Sequence, residues 1–341
     1  MHDVTNTLTI VMFYMPPGFG KTTTIEKIKE RLKAEKEECL VTRIYFDDFS
    51  YIMGGYKHYT KEKGAHIASM QKEAFIEAFS TPAREINRVV FIDKTNVYPK
   101  ERALFYAPLG FMLTLRRLFE EGATDTGVDH DTINKYAENN DYISIFQELY
   151  SANGYAGISR LLVATKETLN EKDMGPIKQE LEGIISSFLK SFRYRREENP
   201  NLGFIDYLRD HYLKLNPRLL VARYEIEEKY LDKLKELLLK RRMAGGDRGL
   251  DKEKWRDIIN KRTDDLYKYK PLSTPIEQYV LQLLEDNATQ GKNYKDIVLN
   301  LNKAVFNDKK DREGLLNYHL DLVVKIIADN TNKKWYSLSN H

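Results

Sequence analysis

The chain has 341 residues, 42% hydrophobic and 31% charged, the profile of a globular protein with room for more than one core. Its formal net charge of +3 is near neutral and does not by itself announce a nucleic-acid partner. The single cysteine, Cys39, excludes an intramolecular disulfide and suits a reducing compartment, so a cytoplasmic location, or the cytoplasm of a host cell, is expected.

The first element is the apolar, β-branched and aromatic run that ends at Tyr14. It is too short to span a bilayer, has no positive region before it, and leads straight into a glycine-containing loop. It therefore reads as a buried strand of a parallel sheet, and no membrane partner is expected. The loop is Met15-Pro16-Pro17-Gly18-Phe19-Gly20-Lys21-Thr22, and the amphipathic stretch Thr23 to Lys36 leads out of it as a helix, with Ile25, Ile28 and Leu32 on one side. Strand, glycine loop and helix follow in the order that a phosphate-binding loop requires. Its pattern, G-x-x-x-x-G-K-[ST], is met except that Met15 stands at the first glycine position. Gly18, Phe19 and Gly20 are expected to turn backbone N–H groups toward phosphates, at the start of a helix that adds partial positive charge. Lys21 would reach the β- and γ-phosphates and the Thr22 hydroxyl would sit on Mg²⁺, with Thr23 in the same nucleotide-binding set. ATP and Mg²⁺ are thus the expected cofactors.

A second strand, Leu40 to Phe46, ends in Asp47-Asp48. Ligands of open α/β sheets sit at the carboxyl ends of the strands, so this acidic pair belongs beside the loop. Phosphoryl transfer to a hydroxyl benefits from a carboxylate that accepts the hydroxyl proton; Asp47 is the first choice for that base and Asp48, as a substrate-binding residue, the second. Gly54 to Tyr59 mixes flexible, aromatic and basic residues, as a loop that stacks on a base would, and equally as a surface loop would. A helix is expected over Ala65 to Phe79, then a third strand, Arg88 to Ile92, closing in Asp93. A hydrophobic strand ending in Asp is the form of a Walker B carboxylate, which holds Mg²⁺. Pro99-Lys100-Glu101-Arg102 begins the next helix, with Arg102 as a phosphate-binding or structural arginine.

These motifs, M-P-P-G-F-G-K-T-T-T, a strand ending F-D-D, and V-V-F-I-D-K-T-N-V-Y-P-K-E-R, resemble the 5′-hydroxyl polynucleotide kinases: the phage-type enzymes and the kinase module of fungal and plant-type tRNA ligases. The resemblance covers about residues 8 to 135. It implies a P-loop kinase fold, Asp47 as general base, and a turn after the third strand that holds the acceptor strand and metal through Asp93, Thr95, Asn96 and Arg102. Where the phage-type enzymes carry an arginine three residues beyond the base, Ser50 stands here. Arg116 and Arg117 are the candidates for a lid cation over the transferring phosphoryl, and Gly127 to Ile133 faintly resembles the lid segment of tRNA ligase kinases.

Beyond about Asn134 the strand signals fade. Helical spacing marks Tyr142 to Tyr150, Ile158 to Leu169, Pro176 to Tyr194, Ile205 to Leu213 and Leu219 to Arg242, with a break at Asn216-Pro217. Ala244 to Gly249 is the best linker candidate. Thr274-Pro275-Ile276-Glu277 has the form of a capped helix start, and helices are expected over Ile276 to Leu284, Tyr294 to Phe306 and Leu315 to Ala328. The expected organisation is an α/β P-loop kinase domain with a parallel sheet flanked by helices (1–135), a helical region (136–243), a linker-like segment (244–272) and a C-terminal helical region (273–341). Two segments are both basic and aromatic, Arg193 to Arg196 and Lys261 to Lys270; either fits a nucleic-acid track or a solvated helix face.

The function expected is ATP-dependent transfer of the γ-phosphate to a hydroxyl of a nucleic acid, DNA or RNA, foremost a 5′-OH end. The alternatives are a hydroxyl on a modified base, a small-molecule P-loop kinase of the zeta-toxin-like kind, and a nucleotide-regulated binding protein. Oligomeric state is not legible.

Overall fold

The computed structural model describes residues 6–34, 39–45, 52, 60–80, 87–120, 128–151, 156–210, 215–244, 251–286, 293–301 and 312–332. In chain order these form β1 (Asn6–Tyr14), α1 (Lys21–Ala34), β2 (Cys39–Tyr45), α2 (Lys61–Ser80), β3 (Asn87–Asp93), α3 (Pro99–Glu120), α4 (His130–Glu138), α5 (Tyr142–Ser151), α6 (Ala156–Leu169), α7 (Gly175–Glu198), α8 (Phe204–Leu208), β4 (Leu215–Glu225), a 3₁₀ turn (Glu228–Tyr230), α9 (Leu231–Ala244), α10 (Lys252–Lys268), α11 (Pro275–Asp286), β5 (Tyr294–Asn300) and α12 (Arg312–Asn332).

The five strands make one parallel sheet in the order β2-β3-β1-β4-β5. The strand that feeds the glycine loop is central, which explains its unbroken apolar run: helices cover both sheet faces, so both sets of alternate side chains must be apolar. Leu8, Ile10, Met12 and Tyr14 of β1 face a core shared with α2, α3, α5, α6, α7 and α11, whereas Val11 and Phe13 face a second core made with α1, α9 and α12. This is an α/β fold, as expected, with further helices in its C-terminal half.

Two expected helices are strands. The run Leu219 to Arg242 divides into β4, the 3₁₀ turn and α9, and the segment expected as a helix from Tyr294 opens as β5. Leu219-Leu220-Val221-Ala222 is fully buried between the two cores. Such a run carries no period that separates strand from helix. Pro217 also has a strand explanation. Among the described residues β5 pairs with β4 from Leu219 onward, so the residue with no N–H stands before that pairing starts. The sheet therefore takes β1 to β3 from the first 135 residues and β4 and β5 from the second half, and the expected boundary near residue 135 does not divide the core. Most of the linker-like segment 244–272 is the helix α10, Lys252–Lys268; residues 245–250, like the loop Gly54 to Tyr59, lie outside the described residues.

Candidate functional site

β1 ends at Tyr14, and the chain turns through Met15 to Gly20 before α1 opens at Lys21. The turn needs its glycines, for Gly18 has φ +80° and Gly20 φ +99°, in the left-handed region. The Phe19 ring is fully buried and stacks on Tyr224 of β4, with centroids 5.5 Å apart, so the loop is pinned to the neighbouring strand. The Phe19 N–H donates to Pro16 O at 3.4 Å, and Thr24 Oγ1 to Gly20 O at 2.9 Å. Lys21 folds back on the loop: Nζ donates to Met15 O and Pro16 O, both at 3.1 Å. A cation curled over its own loop carbonyls is well placed to exchange them for phosphate oxygens. Thr23 is exposed at the first turn of α1.

Asp93, buried at the end of β3, meets the loop directly: Thr22 Oγ1 donates to its Oδ2 at 3.0 Å. The strand-end carboxylate and the loop hydroxyl, 71 residues apart in sequence, thus share one position. Two adjacent hard oxygen donors beside a glycine turn suit Mg²⁺, which takes one or two protein ligands and completes its shell with other oxygens and water. The same Oδ2 accepts from Arg43 Nε at 3.2 Å. Arg43, on β2, also pairs with Glu26 of α1 at 3.4 Å and lies 4.0 Å from the centroid of the Tyr45 ring. No motif flagged this arginine. The only sequence signal is a lone cation in an apolar strand. Tyr45 pairs in register with Asp93, and β2 ends there. Asp47 and Asp48, which follow it in sequence, lie outside the described residues, as do Ser50 and Gly127, the first residue of the lid-like stretch.

The turn after β3 is a tether. Asn96 is buried with φ +50°, and its Nδ2 donates to Phe13 O at 3.1 Å and to Lys94 O at 3.3 Å, joining this turn to the end of β1. Thr95 beside it is half-buried. Lys94 is buried too, its Nζ 3.5 Å from Gln71 Oε1, and burial lowers its pKa. Glu101 closes the start of α3 by accepting from the Val97 and Tyr98 amides at 3.1 and 3.3 Å, and it pairs with Arg262 of α10 at 3.1 Å. Burial works to raise the Glu101 carboxyl, but Lys94, Arg262 and the Tyr98 amide outweigh it and hold the group below its usual range.

Arg102 is corrected. Of its two expected roles, substrate- or phosphate-binding and structural, it takes the structural one: it is 1% exposed and pairs with the fully buried Glu277 at 3.0 Å. Its Nη1 donates to Val97 O at 2.9 Å and to Tyr269 O at 3.2 Å. Glu277 also accepts from the Tyr14 hydroxyl at 2.9 Å, and the Tyr106 hydroxyl lies 3.0 Å from that of Tyr14. Burial, the two phenols' proximity and Glu277 all raise the Tyr14 pKa. Arg102 thus serves a network beneath the loop, with no face left for an acceptor.

Arg116 and Arg117 are also corrected. α3 leaves the loop edge of the sheet, and at 1.5 Å per residue these arginines stand about 25 Å along its axis. Arg117 pairs with Asp286 at 2.9 Å, at the end of α11, a helix that starts beside Tyr14 and ends just before β5 begins. Arg116 is buried. Both arginines therefore belong to the opposite edge of the sheet, away from any phosphate in the loop. The lid-like residues Asp129 to Ile133 form the first turn of α4, which Asp129 caps through the Asp131 and Thr132 amides.

The basic-aromatic segments are partly engaged. Arg195 pairs with Glu198 and Arg196 with Glu138, each at 2.8 Å, while Tyr194 is exposed. Arg262 and Tyr269 pack against the start of α3, where Tyr98 meets the Tyr269 ring edge-on at 5.9 Å. Among the described residues no helix is long and apolar enough to cross a membrane.

Fold and site together define an α/β protein with a central parallel sheet and a glycine turn, lysine, threonine and aspartate gathered at the carboxyl edge of its middle strands. No family model, curated protein or solved structure matches this chain.

Proposed function

We propose that this protein is an ATP-dependent kinase that transfers the γ-phosphoryl group to a hydroxyl of a nucleic acid, foremost a 5′-OH end. The observation that carries the reading is the 3.0 Å contact between Thr22 and Asp93 beside a glycine turn that also presents Lys21. The hydroxyl acceptor and its nucleic-acid nature rest on the motif resemblance of residues 8 to 135.

In this reading the Gly18–Gly20 backbone and Lys21 bind and orient the triphosphate. Thr22 and Asp93 would hold Mg²⁺, which when bound would neutralise phosphate charge. Asp47 takes the proton of the acceptor hydroxyl as its oxygen bonds to the γ-phosphorus and the bond to the bridging oxygen breaks. Arg43, whose Nε lies 3.2 Å from Asp93 Oδ2, would compete with the metal for that oxygen.

The test is incubation of the full chain with γ-labelled ATP, Mg²⁺ and 5′-hydroxyl DNA and RNA oligonucleotides, alongside Lys21→Ala and Asp47→Ala. Label transfer that both substitutions abolish is expected, and the oligonucleotide labelled names the acceptor class. ATP binding without transfer to any oligonucleotide overturns the nucleic-acid acceptor and turns the search to modified bases and small molecules.

A further inference from the structure

Both loop glycines touch the second half of the chain. A Cβ on Gly18 would lie 2.6 Å from the backbone oxygen of Leu238 in α9. A Cβ on Gly20 would lie 3.1 Å from Nη2 of Arg241, in the last turn of α9, and 3.1 Å from Cδ1 of Leu320 in α12. The guanidinium thus sits against the backbone of Gly20, where a side chain would crowd it, and Gly20 immediately precedes Lys21.

Among the described residues the Arg241 charge is offset only through space, by Glu313. Its Nη1 donates to Asn317 Oδ1 at 3.0 Å, a neutral amide. Among the described residues it makes no ion pair. Glu313, the acid that acts on it, is paired with Lys240 at 3.8 Å. Burial works against the charge. A half-buried guanidinium held by a neutral amide and touched by an acid only through space gains from a direct anionic partner. A phosphate oxygen is that partner, since the planar fork of an arginine donates to it at close range while Asn317 fixes the other nitrogen.

We propose that Arg241 is a phosphate-binding side chain of the nucleotide site, supplied by α9 from outside the segment that carries the loop motif. The inference rests on the nucleotide-binding reading and deepens it: α9 and α12 complete the cradle, and Asn317 acts as a positioning residue for Arg241. It also places a cation at the loop, where Arg116 and Arg117 are not.

The experiment is isothermal titration of the full chain with a non-hydrolysable ATP analogue and with tripolyphosphate, for wild type, Lys21→Ala, Arg241→Ala, Arg241→Lys and Asn317→Ala. Melting of each free protein is followed in parallel. A charge-assisted hydrogen bond corresponds to a loss of about ten- to a hundredfold in affinity. Arg241→Ala should lose this for both ligands with its unliganded melting midpoint kept. Arg241→Lys should recover part of it, and Asn317→Ala should lose severalfold. Wild-type affinity in Arg241→Ala, with binding lost in Lys21→Ala, overturns this inference and leaves the nucleotide reading standing. If wild type binds neither ligand, the nucleotide reading itself falls. Should Arg241→Ala fail to melt cooperatively, Asn317→Ala decides, because it leaves the guanidinium and loop intact; unchanged affinity there overturns the proposal.

Discussion

Glu277→Ala should be among the most destabilising single substitutions in this chain. The carboxylate is fully buried and accepts from Tyr14 Oη at 2.9 Å, Leu272 N at 3.3 Å, Thr274 N at 3.0 Å and Thr274 Oγ1 at 2.7 Å, in addition to its 3.0 Å ion pair with Arg102. Removing it leaves the Arg102 guanidinium, 1% exposed, without its counter-charge. Breaking a buried pair by deleting one partner costs about 3–5 kcal/mol. Against a total stability of about 5–15 kcal/mol, that is a large share. The midpoint of a urea transition followed by circular dichroism should shift accordingly, with melting lowered by about 4–7 °C. Arg102→Met/Glu277→Leu, which removes both charges and keeps much of the volume, should recover at least half of the loss. The reasoning is refuted if Glu277→Ala stays within about 1 kcal/mol of wild type, or if the double variant loses the sum of the two single losses. Nucleotide affinity should fall with stability in the single variant, because Tyr14 leads directly into Met15 of the loop.

Three further outcomes are expected. Arg43→Ala removes a cation from Asp93 Oδ2, so Mn²⁺ titrated in the presence of nucleotide and followed by paramagnetic resonance should bind about fivefold more tightly, for a competing contact of about 1 kcal/mol; unchanged or weaker metal binding refutes the competition. Gly18→Ala forces an L-residue to φ +80° with its Cβ 2.6 Å from the Leu238 carbonyl oxygen, and urea denaturation should show a loss of about 2 kcal/mol or more; wild-type stability would mean that α9 shifts freely. Burial and the bond to Asp265 push the Tyr98 phenol up to about 12. Since the folded value exceeds the unfolded value of about 10, this group's contribution is intact below pH 10 and is lost as pH rises toward 12. Tyr98→Phe should lose that part of the alkaline slope in urea midpoints measured from pH 9 to 12, and an identical slope in both proteins counts against it.

The loop strand, its glycine turn, the helix after it and the Asp93 strand end were legible because each is local and ordered along the chain. The Thr274–Glu277 capping box was legible for the same reason, and both of its bonds are present, Thr274 N to Glu277 Oε2 at 3.0 Å and Glu277 N to Thr274 Oγ1 at 3.4 Å. What the capping motif could not disclose is that the other oxygen of Glu277 neutralises Arg102 across the fold. Arg102 reads as a functional arginine in sequence because burial cannot be seen there, and a charge fully removed from water is explained only by its partner. β4 and β5 were misread because strands covered on both faces lose the two-residue alternation that marks a strand. Arg43 and Arg241 carry no local pattern at all. Their roles come from the sheet order and from two glycines that let helices approach.

The same contacts explain why the loop and the second half belong to one structure. On one sheet face, Tyr14 is held by Glu277 of α11 and Tyr106 of α3. On the other, Phe19 stacks on β4, Gly18 meets Leu238, and Gly20 meets Arg241 and Leu320. A turn with two glycines is by itself the most freely moving part of the backbone, and a phosphate site gains affinity when its donors are fixed before the ligand arrives. For the proposed site, part of that rigidity is supplied by residues beyond position 220, which carry no recognisable chemical motif of their own. The late strands and helices are thus the frame that holds the glycine turn in its left-handed conformation. A substitution at their contacts with the loop acts on the site even where it touches none of the motif residues.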